Sequence, residues 1–233
     1  MLDTIGIIES CYPDKFGIPR QPGLAPSATA ILRLQAPFDH PDTVRGLEHF
    51  SHLWISFIFH QSPTRWTPLI RPPRLGGNAR IGVFASRSTH RPNRLGLSLV
   101  ELVAIEYRPG PALLLRGHDL VDATPVVDIK PYLPWADSAD NARAGFAPEP
   151  PPLLNVRLSD VCERALGERK DGHMLRTLIT EVLAQDPRPA YRRGQEDGRH
   201  YGVRLHDIDV RFHIETGEHG SLVMVDELAS VHQ

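Results

Sequence analysis

The stretch that decides the fold is Leu97-Ser-Leu-Val-Glu-Leu-Val-Ala-Ile-Glu-Tyr-Arg-Pro-Gly-Pro-Ala-Leu-Leu-Leu-Arg-Gly-His-Asp-Leu-Val-Asp-Ala-Thr-Pro-Val-Val-Asp-Ile129. It holds three short runs rich in Leu, Val and Ile, at 97–105, 112–116 and 125–129. Gly and Pro separate these runs, and nothing between them has the length of a helix. Such runs predict three consecutive β-strands.

The same pattern continues toward the N-terminus, where runs at 4–8, 28–34, 53–59 and 80–85 predict four more strands. One short helix is predicted after Pro41-Asp42, because the Asp42 side chain can cap the following amides. Many strands with a single helix between them argue against a βαβ sheet. They predict an antiparallel sheet that closes or folds over on itself.

Between residues 135 and 152 the composition shifts to Ala, Asp, Pro and Gly, which is typical of a stiff linker. We therefore divide the chain into domains at 1–145 and 146–233. In the second domain Ser159 is predicted to cap a helix running to about Lys170.

A second helix is predicted to start at Asp171 or Gly172 and to end before Pro187. Its apolar residues share one face, namely Leu175, Leu178, Ile179, Val182 and Leu183. Alternation over 201–214 predicts a strand whose buried side changes from odd to even positions, which indicates a bulge or kink near His206-Asp207. With a last strand at 221–225, the second domain is predicted to be small and α+β.

The charge of the chain is concentrated on one stretch. No acidic residue lies between Glu48 and Glu101, where the seven arginines are Arg65, Arg71, Arg74, Arg80, Arg87, Arg91 and Arg94. The whole chain has 26 basic and 28 acidic residues, so without these seven the balance is 19 against 28, or −9. Such segregation predicts an anionic partner for one surface.

Several chemistries are not indicated by the sequence. No two glycines are separated by a single residue, and neither a phosphate-binding loop nor a Gly-x-Ser-x-Gly elbow is present. Cys11 and Cys162 match no metal spacing and are predicted to be buried thiols. His49 and His52 lack a third ligand at useful spacing, so no metal site is predicted. The sequence shows no targeting segment or membrane-spanning run, and we expect a soluble, cytoplasmic protein.

Four stretches together resemble one known family. They are Pro19-Arg-Gln-Pro-Gly-Leu24, Arg71-Pro-Pro-Arg-Leu-Gly-Gly-Asn-Ala-Arg80, Gly82-Val-Phe-Ala-Ser-Arg-Ser-Thr-His-Arg-Pro-Asn-Arg-Leu-Gly-Leu-Ser98 and Asp119-Leu-Val-Asp-Ala-Thr-Pro-Val-Val-Asp-Ile-Lys-Pro-Tyr-Leu-Pro134. They are similar to the TsaA-like (TrmO) family of tRNA adenosine N6-methyltransferases. The tail Gln185-Asp-Pro-Arg-Pro-Ala-Tyr191, followed by Tyr201-Gly-Val-Arg-Leu-His-Asp207, resembles the C-terminal domain of bacterial members.

The resemblance implies a closed antiparallel β-barrel in place of a Rossmann fold, a mainly β protein with S-adenosylmethionine as methyl donor. It also implies a homodimer that acts on the threonylcarbamoyl adenosine (t6A) at position 37, beside the anticodon of threonine tRNA, giving m6t6A. The chain departs from the family at Ala123, where glycine is usual, and at Arg94, where proline is usual. A Cβ at Ala123 predicts a negative φ or a slightly shifted loop.

Site residues follow from the residues and the resemblance together. Those assigned to the donor are Gln21, Pro22, Gly23, Leu24, His60, Gln61, Arg87, Leu97, Asp122, Ala123, Thr124 and Pro125. A guanidinium beside the sulfonium would oppose binding, so Arg87 is placed on the donor carboxylate or on RNA phosphate.

Asp128, Lys130 and Tyr132 alternate onto one strand face, where they are candidates for catalysis or for structural ion pairs. Residues assigned to tRNA are Arg91, Asn93, Arg94, Arg188, Tyr191 and Arg192. For the last three, closing the small domain is the alternative. Two other functions stay open, a donor- or RNA-binding module without turnover and an N6-methyltransferase of another substrate.

Overall fold

The computed structural model describes residues 2–76, 78–189, 192, 198–217 and 220–231. The strands are β1 Gly6–Ser10, β2 Thr29–Leu34, β3 His52–Ile58, β4 Leu69–Ile70, β5 Ile81–Gly82, β6 Leu95–Glu106, β7 Ala112–Arg116, β8 Pro125–Pro131, β9 Asn155–Leu158, β10 Tyr201–Leu205, β11 Ile208–Gly217 and β12 Gly220–Ser230. The α-helices are α1 Pro134–Asp137, α2 Asp160–Gly167 and α3 Gly172–Ala184.

Six strands form a closed barrel in the order β1-β2-β7-β6-β3-β8. The pairs β1–β8, β3–β8, β3–β6 and β6–β7 are antiparallel, which confirms the predicted architecture. Along β3 the buried residues alternate as Leu53, Ile55 and Phe57, so this strand sends one face into the barrel and the other outward.

Two local predictions in this half were wrong. Of residues 80–85 only Ile81–Gly82 is a strand, paired with Leu69–Ile70, and Val83–Ala85 forms a 3-10 turn. The helix after Pro41 is a 3-10 turn, Pro41–Val44, and its cap is His40 Nδ1, which accepts the Asp42 N–H at 3.2 Å. The Asp42 carboxylate pairs with Arg45 and so is not the cap.

A second sheet has the order β10-β11-β12-β9, in which β12 and β9 are parallel. Helices α2 and α3 follow β9, and their buried residues share a core with that sheet. The Ser159 side chain caps α2 by accepting the Cys162 N–H at 3.3 Å, as predicted, although α2 ends at Gly167 and does not reach Lys170. The predicted apolar stripe of α3 is buried along its whole length.

The predicted kinked strand over 201–214 is a hairpin. β10 and β11 are joined by His206 and Asp207, with Leu205 opposite Ile208 and a φ of 51° at His206. A two-residue turn brings residues of opposite parity onto the same face, which is why Leu205 and Ile208 are both buried. The last strand, β12, is also longer than the predicted 221–225.

The chain forms two compact units that are not consecutive in sequence. The first comprises Met1–Glu9, Ala30–Arg116 and Ala123–Pro150, and the second comprises Ser10–Thr29, Gly117–Asp122 and Pro151–Gln233. The domain division at residue 145 stays a prediction. A single division point in the sequence does not separate the two units, because the second unit also includes Ser10–Thr29 and Gly117–Asp122. Cys11 and Cys162, both in the second unit, are buried free thiols as predicted. Within the described ranges, no helix has the length and apolar character needed to cross a membrane.

Candidate functional site

One end of the barrel gathers several of the sequence-predicted residues. Phe57 on β3 lies opposite both Gly96 on β6 and Val126 on β8, so the end of β3 meets the starts of β6 and β8. The segments next to these strand ends are 59–62, 91–95 and 123–125. We call them the barrel rim.

Arg94 ties two parts of the rim together. Its carbonyl accepts the Phe59 N–H at 2.8 Å, and its guanidinium Nη1 donates to the Ser62 carbonyl at 3.4 Å. These two bonds bracket His60 and Gln61, which were assigned to the donor. Arg94 thus orders the turn that presents them, in addition to its predicted role toward tRNA.

The turn before β6 is held in an uncommon backbone conformation. Asn93 and Arg94 have φ values of 63° and 52°. Proline cannot adopt such a φ, so a chain with proline at position 94 must take another path here. Gly96 lies two residues after Arg94, and a Cβ at this position would overlap the Phe57 ring. This close approach of β3 to β6 explains why position 96 is a glycine.

Ala123 overturns the sequence-based expectation of a negative φ, because its φ is 59°. It keeps the left-handed conformation that suits glycine, and its N–H donates to the Ile8 carbonyl at 2.9 Å. The Ile8 N–H in turn donates to the Thr124 carbonyl at 3.0 Å. Alanine therefore holds a strained conformation here while these hydrogen bonds are formed, at a cost of about 1–2 kcal/mol.

The outer wall of the barrel carries the proposed catalytic residues. Asp128 and Lys130 are exposed and lie opposite Ser56 and Trp54, which confirms that they share a face. Ser56 also lies opposite Leu97 on β6, so Asp128, Ser56 and Leu97 form a row across three strands.

The Tyr132 ring extends this wall, with its centroid 6.1 Å from that of Trp54. Among the described residues, neither Asp128 nor Lys130 forms an ion pair. The alternative of structural ion pairs thus finds no support in this part of the chain.

The arginine-rich stretch has cationic side chains without counterions. In the described part of the chain, none of its seven arginines forms an ion pair with a carboxylate, whereas eight arginines elsewhere do. Arg91 Nη1 donates to the Ser86 carbonyl at 3.3 Å and so braces the loop. Arg87 and Arg80 are exposed.

Sequence reasoning missed an aromatic side chain in this loop. In the turn Val83–Ala85, Val83 is buried while Phe84 is 75% exposed. A large exposed ring between arginines offers a flat apolar surface on which an aromatic ligand can stack. The signal was present in the sequence, as a phenylalanine between Arg80 and Arg87.

Residues 21–24, also assigned to the donor, belong to the second unit. Gly23 has a φ of 79°, and its N–H donates to the Gly117 carbonyl at 2.7 Å. No atom lies within 4 Å of the position a Cβ would take at Gly23. The Leu24 carbonyl accepts a bond from Gln185 Nε2 at 3.0 Å. This turn is a fixed, open stretch of backbone that a flat ligand can approach.

Asp122 has a structural partner in the same unit, since its Oδ1 accepts the Ser10 N–H at 2.8 Å. Nearby, Leu120 N–H donates to His118 Nδ1 at 3.2 Å, which leaves the proton on Nε2, 3.7 Å from Cys11 Sγ. Burial lowers the pKa of His118 to about 4 and raises the pKa of Cys11 to about 12. Both groups are therefore neutral near pH 7, and this pair is not an activated nucleophile.

The predicted tRNA residues of the second unit differ in their surroundings. Arg188 is only 1% exposed and binds Asp186 through two bonds, Nε–Oδ1 at 2.8 Å and Nη2–Oδ2 at 3.0 Å. This burial corrects the assignment of Arg188 to tRNA, because its guanidinium does not reach the surface. Tyr191 lies outside the described residues. Arg192 is half-buried and remains a prediction.

Comparisons with known proteins agree with this architecture. A family model described as the tRNA-methyltransferase O N-terminal domain matches residues 7–138, and one described as the TrmO C-terminal domain matches residues 151–228. A protein of Escherichia coli (strain K12) named tRNA (adenine(37)-N6)-methyltransferase is 52% identical over 217 residues, which cover 91% of this chain and 92% of that protein.

A protein of Pseudomonas aeruginosa named putative S-adenosylmethionine-dependent methyltransferase RcsF is 51% identical, with 91% of each chain covered. The crystal structure of TrmO from Pseudomonas aeruginosa matches with a TM-score of 0.80 at 43% identity, covering 99% of this chain and 98% of that one.

The strain at Ala123 is testable by restoring glycine. We expect Ala123→Gly to raise the free energy of unfolding by about 1 kcal/mol, because relief of the left-handed strain exceeds the entropic cost of glycine. Urea denaturation measures the change. The control is Ala142→Gly, at an exposed alanine without a positive φ, which we expect to lower stability by roughly 0.5 kcal/mol. If the two variants lose the same stability, Ala123 is not strained.

Proposed function

Because the chain belongs to the tRNA-methyltransferase O family, with tRNA (adenine(37)-N6)-methyltransferases among its relatives, we propose a specific reaction for it. The methyl group of S-adenosylmethionine is transferred to N6 of t6A at position 37 of threonine tRNA, giving m6t6A. The observation that carries this proposal is the arginine stretch, whose seven cationic side chains have no carboxylate partner in the described residues.

Recognition of RNA is supported by what surrounds those arginines. Unpaired guanidinium groups bind phosphate through a bidentate fork, and the exposed ring of Phe84 offers a stacking surface. The anticodon loop is single-stranded, so its bases can be splayed out and stacked on side chains. A protein that reads duplex RNA by inserting a helix into a groove is not indicated, since the described residues of the stretch form short strands, 3-10 turns and loops but no α-helix.

Binding of the methyl donor fits the residues of this chain. In the first unit, Arg87 is exposed and available to the donor carboxylate. Considered by itself, the open backbone at Gly23 in the second unit suits a flat adenine edge. The sulfonium form of the donor supplies an electrophilic methyl group. Because a cation beside the sulfur would be repelled, we place Arg87 at the carboxylate end.

The acceptor nitrogen of t6A is a weak nucleophile, because it carries an acyl-type substituent. Collinear positioning therefore supplies most of the rate, and the N6 proton must leave as the bond forms. Asp128 is the exposed carboxylate on the outer wall, in one row with Ser56 and Leu97. We propose Asp128 as the proton acceptor, with Lys130 and Tyr132 orienting the substrate on the same wall.

We propose that two copies of the chain associate through the outer wall of the barrel. Three apolar side chains of β6 are exposed there, namely Leu95 at 39%, Leu97 at 50% and Val103 at 44%. An apolar strip of this kind, flanked by Trp54 and Tyr132, is typical of a self-complementary interface. A second copy seated on it would stand next to Leu97 and Asp128.

The reaction is tested with purified protein, S-adenosylmethionine and two forms of threonine tRNA, one with t6A at position 37 and one with unmodified adenosine. We expect methylation of the first form only, measured by mass spectrometry of digested nucleosides. The donor's homocysteine product should inhibit the reaction. Equal methylation of unmodified adenosine would indicate another substrate, and donor binding without methylation would indicate a binding module.

The arginine surface is tested by salt dependence. We expect Arg80→Ala to weaken tRNA binding and to reduce the slope of log K against log salt by about 0.7–0.9, which is one phosphate contact. Arg87→Ala should instead weaken donor binding, measured by calorimetry. The matched control is Arg176→Ala, an exposed arginine paired with Glu163, which should change neither quantity. A control that lowers the slope as much as Arg80→Ala would contradict a localised RNA surface.

The interface is tested by Leu97→Glu, which buries a charge at the centre of the apolar strip. We expect the wild-type protein to have twice the chain mass of 26.0 kDa by light scattering, and the variant to have the mass of one chain. Val161→Glu, at a 60% exposed position of α2, serves as the control and should leave the dimer intact. A wild-type protein that is a monomer at all concentrations refutes the interface.

A further inference from the structure

The sheet of the second unit carries a cluster of metal-ligating side chains that the proposed reaction does not use. His213 Nδ1 lies 2.8 Å from Asp226 Oδ2, and His200 Nε2 lies 3.5 Å from the same oxygen. One ligand atom from each of the three residues fits within 4.8 Å of the others. Both imidazoles thus converge on one carboxylate oxygen.

The sheet register brings these residues together. Tyr201 lies opposite Phe212, which places His200, the residue before β10, beside His213 on β11. On β12, Val225 pairs with Phe212 and Glu227 pairs with Arg211, so Asp226 is the extra residue of a β-bulge. A bulge re-aims a side chain, and here it turns the Asp226 carboxylate toward the two histidines.

His213 has a further partner, since its Nε2 lies 3.4 Å from Glu215 Oε1. With Nδ1 directed at the cluster, the Nε2–H is left to donate to this carboxylate. Metal-bound histidines commonly have such an outer carboxylate, which fixes the tautomer and the ring orientation. Arg211, on the same side of β11, pairs with Asp209 at 2.6 Å, so its charge is already neutralised.

We propose that His200, His213 and Asp226 form a binding site for a divalent first-row transition-metal ion of the zinc type. Two imidazoles and one carboxylate match the ligand preference of zinc, whereas magnesium and calcium prefer oxygen alone. Ligand atoms around a tetrahedral zinc ion are about 3.4 Å apart, which the cluster reaches through small side-chain adjustments. The fourth position is open to water.

Residue spacing alone predicts no such site, because the ligands come from β11, from β12 and from the residue before β10, and they match no metal motif. A bound ion would link β11, β12 and the segment that leads into β10. The bound state therefore stabilises the hairpin against unfolding, in proportion to the occupancy of the site.

The test is a titration of full-length, untagged, chelator-treated protein with zinc chloride, monitored by calorimetry. We expect one tight equivalent for the wild type, and at least tenfold weaker binding for His213→Ala and for Asp226→Asn. His173→Ala is the matched control, an exposed histidine on α3 of the same unit, and it should bind like the wild type. Magnesium chloride should give no saturable binding.

Because the chain has 12 histidines, two further measurements distinguish one defined zinc site from nonspecific binding of zinc to histidine side chains. Cobalt should give the intense visible bands of tetrahedral coordination with the wild type but not with His213→Ala. Zinc should raise the melting temperature of the wild type and of His173→Ala, but not that of His213→Ala or Asp226→Asn. Circular dichroism spectra of these two variants, recorded in the presence of chelator, test whether they are folded. Binding of equal affinity in wild type and ligand variants overturns the proposal, and so does the lack of a tight equivalent. Neither result bears on methyl transfer.

Discussion

Closure of the barrel by β1 and β8 is the interaction on which the first unit depends. The Ile5 N–H donates to the Val126 carbonyl at 2.8 Å, and Ile8 exchanges two bonds with residues 123 and 124. We call this pairing of β1 with β8 the seam. Without it, two strand edges would be left unpaired, and unpaired edges promote association with other chains. The seam also fixes where β8 begins, and therefore where Asp128 and Lys130 emerge on the outer wall.

The rim beside that seam is held in conformations that the backbone does not favour. Asn93, Arg94 and Ala123 all have a positive φ, and two of the three are residues for which this costs about 1–2 kcal/mol. Such strain persists only where surrounding contacts impose it, and it is concentrated at functional sites. Here the contacts are the bonds from Phe59 to Arg94 and from Ala123 to Ile8. Ala123 and Arg94, the two positions at which the resemblance indicates a departure from the family, are thus both in the strained part of the rim.

Sequence patterns predicted the elements whose signal is local, and they failed where the decisive contact is distant. The barrel strands and the stripe of α3 follow from apolar periodicity, which burial enforces directly. The hairpin at His206-Asp207 was read as a kink, because a change of parity fits both and no glycine marks the turn. Arg188 was assigned to tRNA because arginine is seldom buried, whereas the structure buries it in a bidentate pairing with Asp186. The metal-ligand cluster needs the register of three strands, which no local pattern contains.

The divided second unit has a consequence for how the chain is made. Cys11, Tyr12, Ala25 and Ala28 belong to the same core as α3 and β11, and Ser27 bonds to Glu181 across 154 positions of sequence. On the ribosome this early segment emerges long before its partners. At about 5–20 residues per second, roughly 10–40 s pass between synthesis of these apolar side chains and completion of residues 158–225. Completion of the second unit is therefore a late event in translation, and the N-terminal segment is the part of the nascent chain that a chaperone has most time to hold.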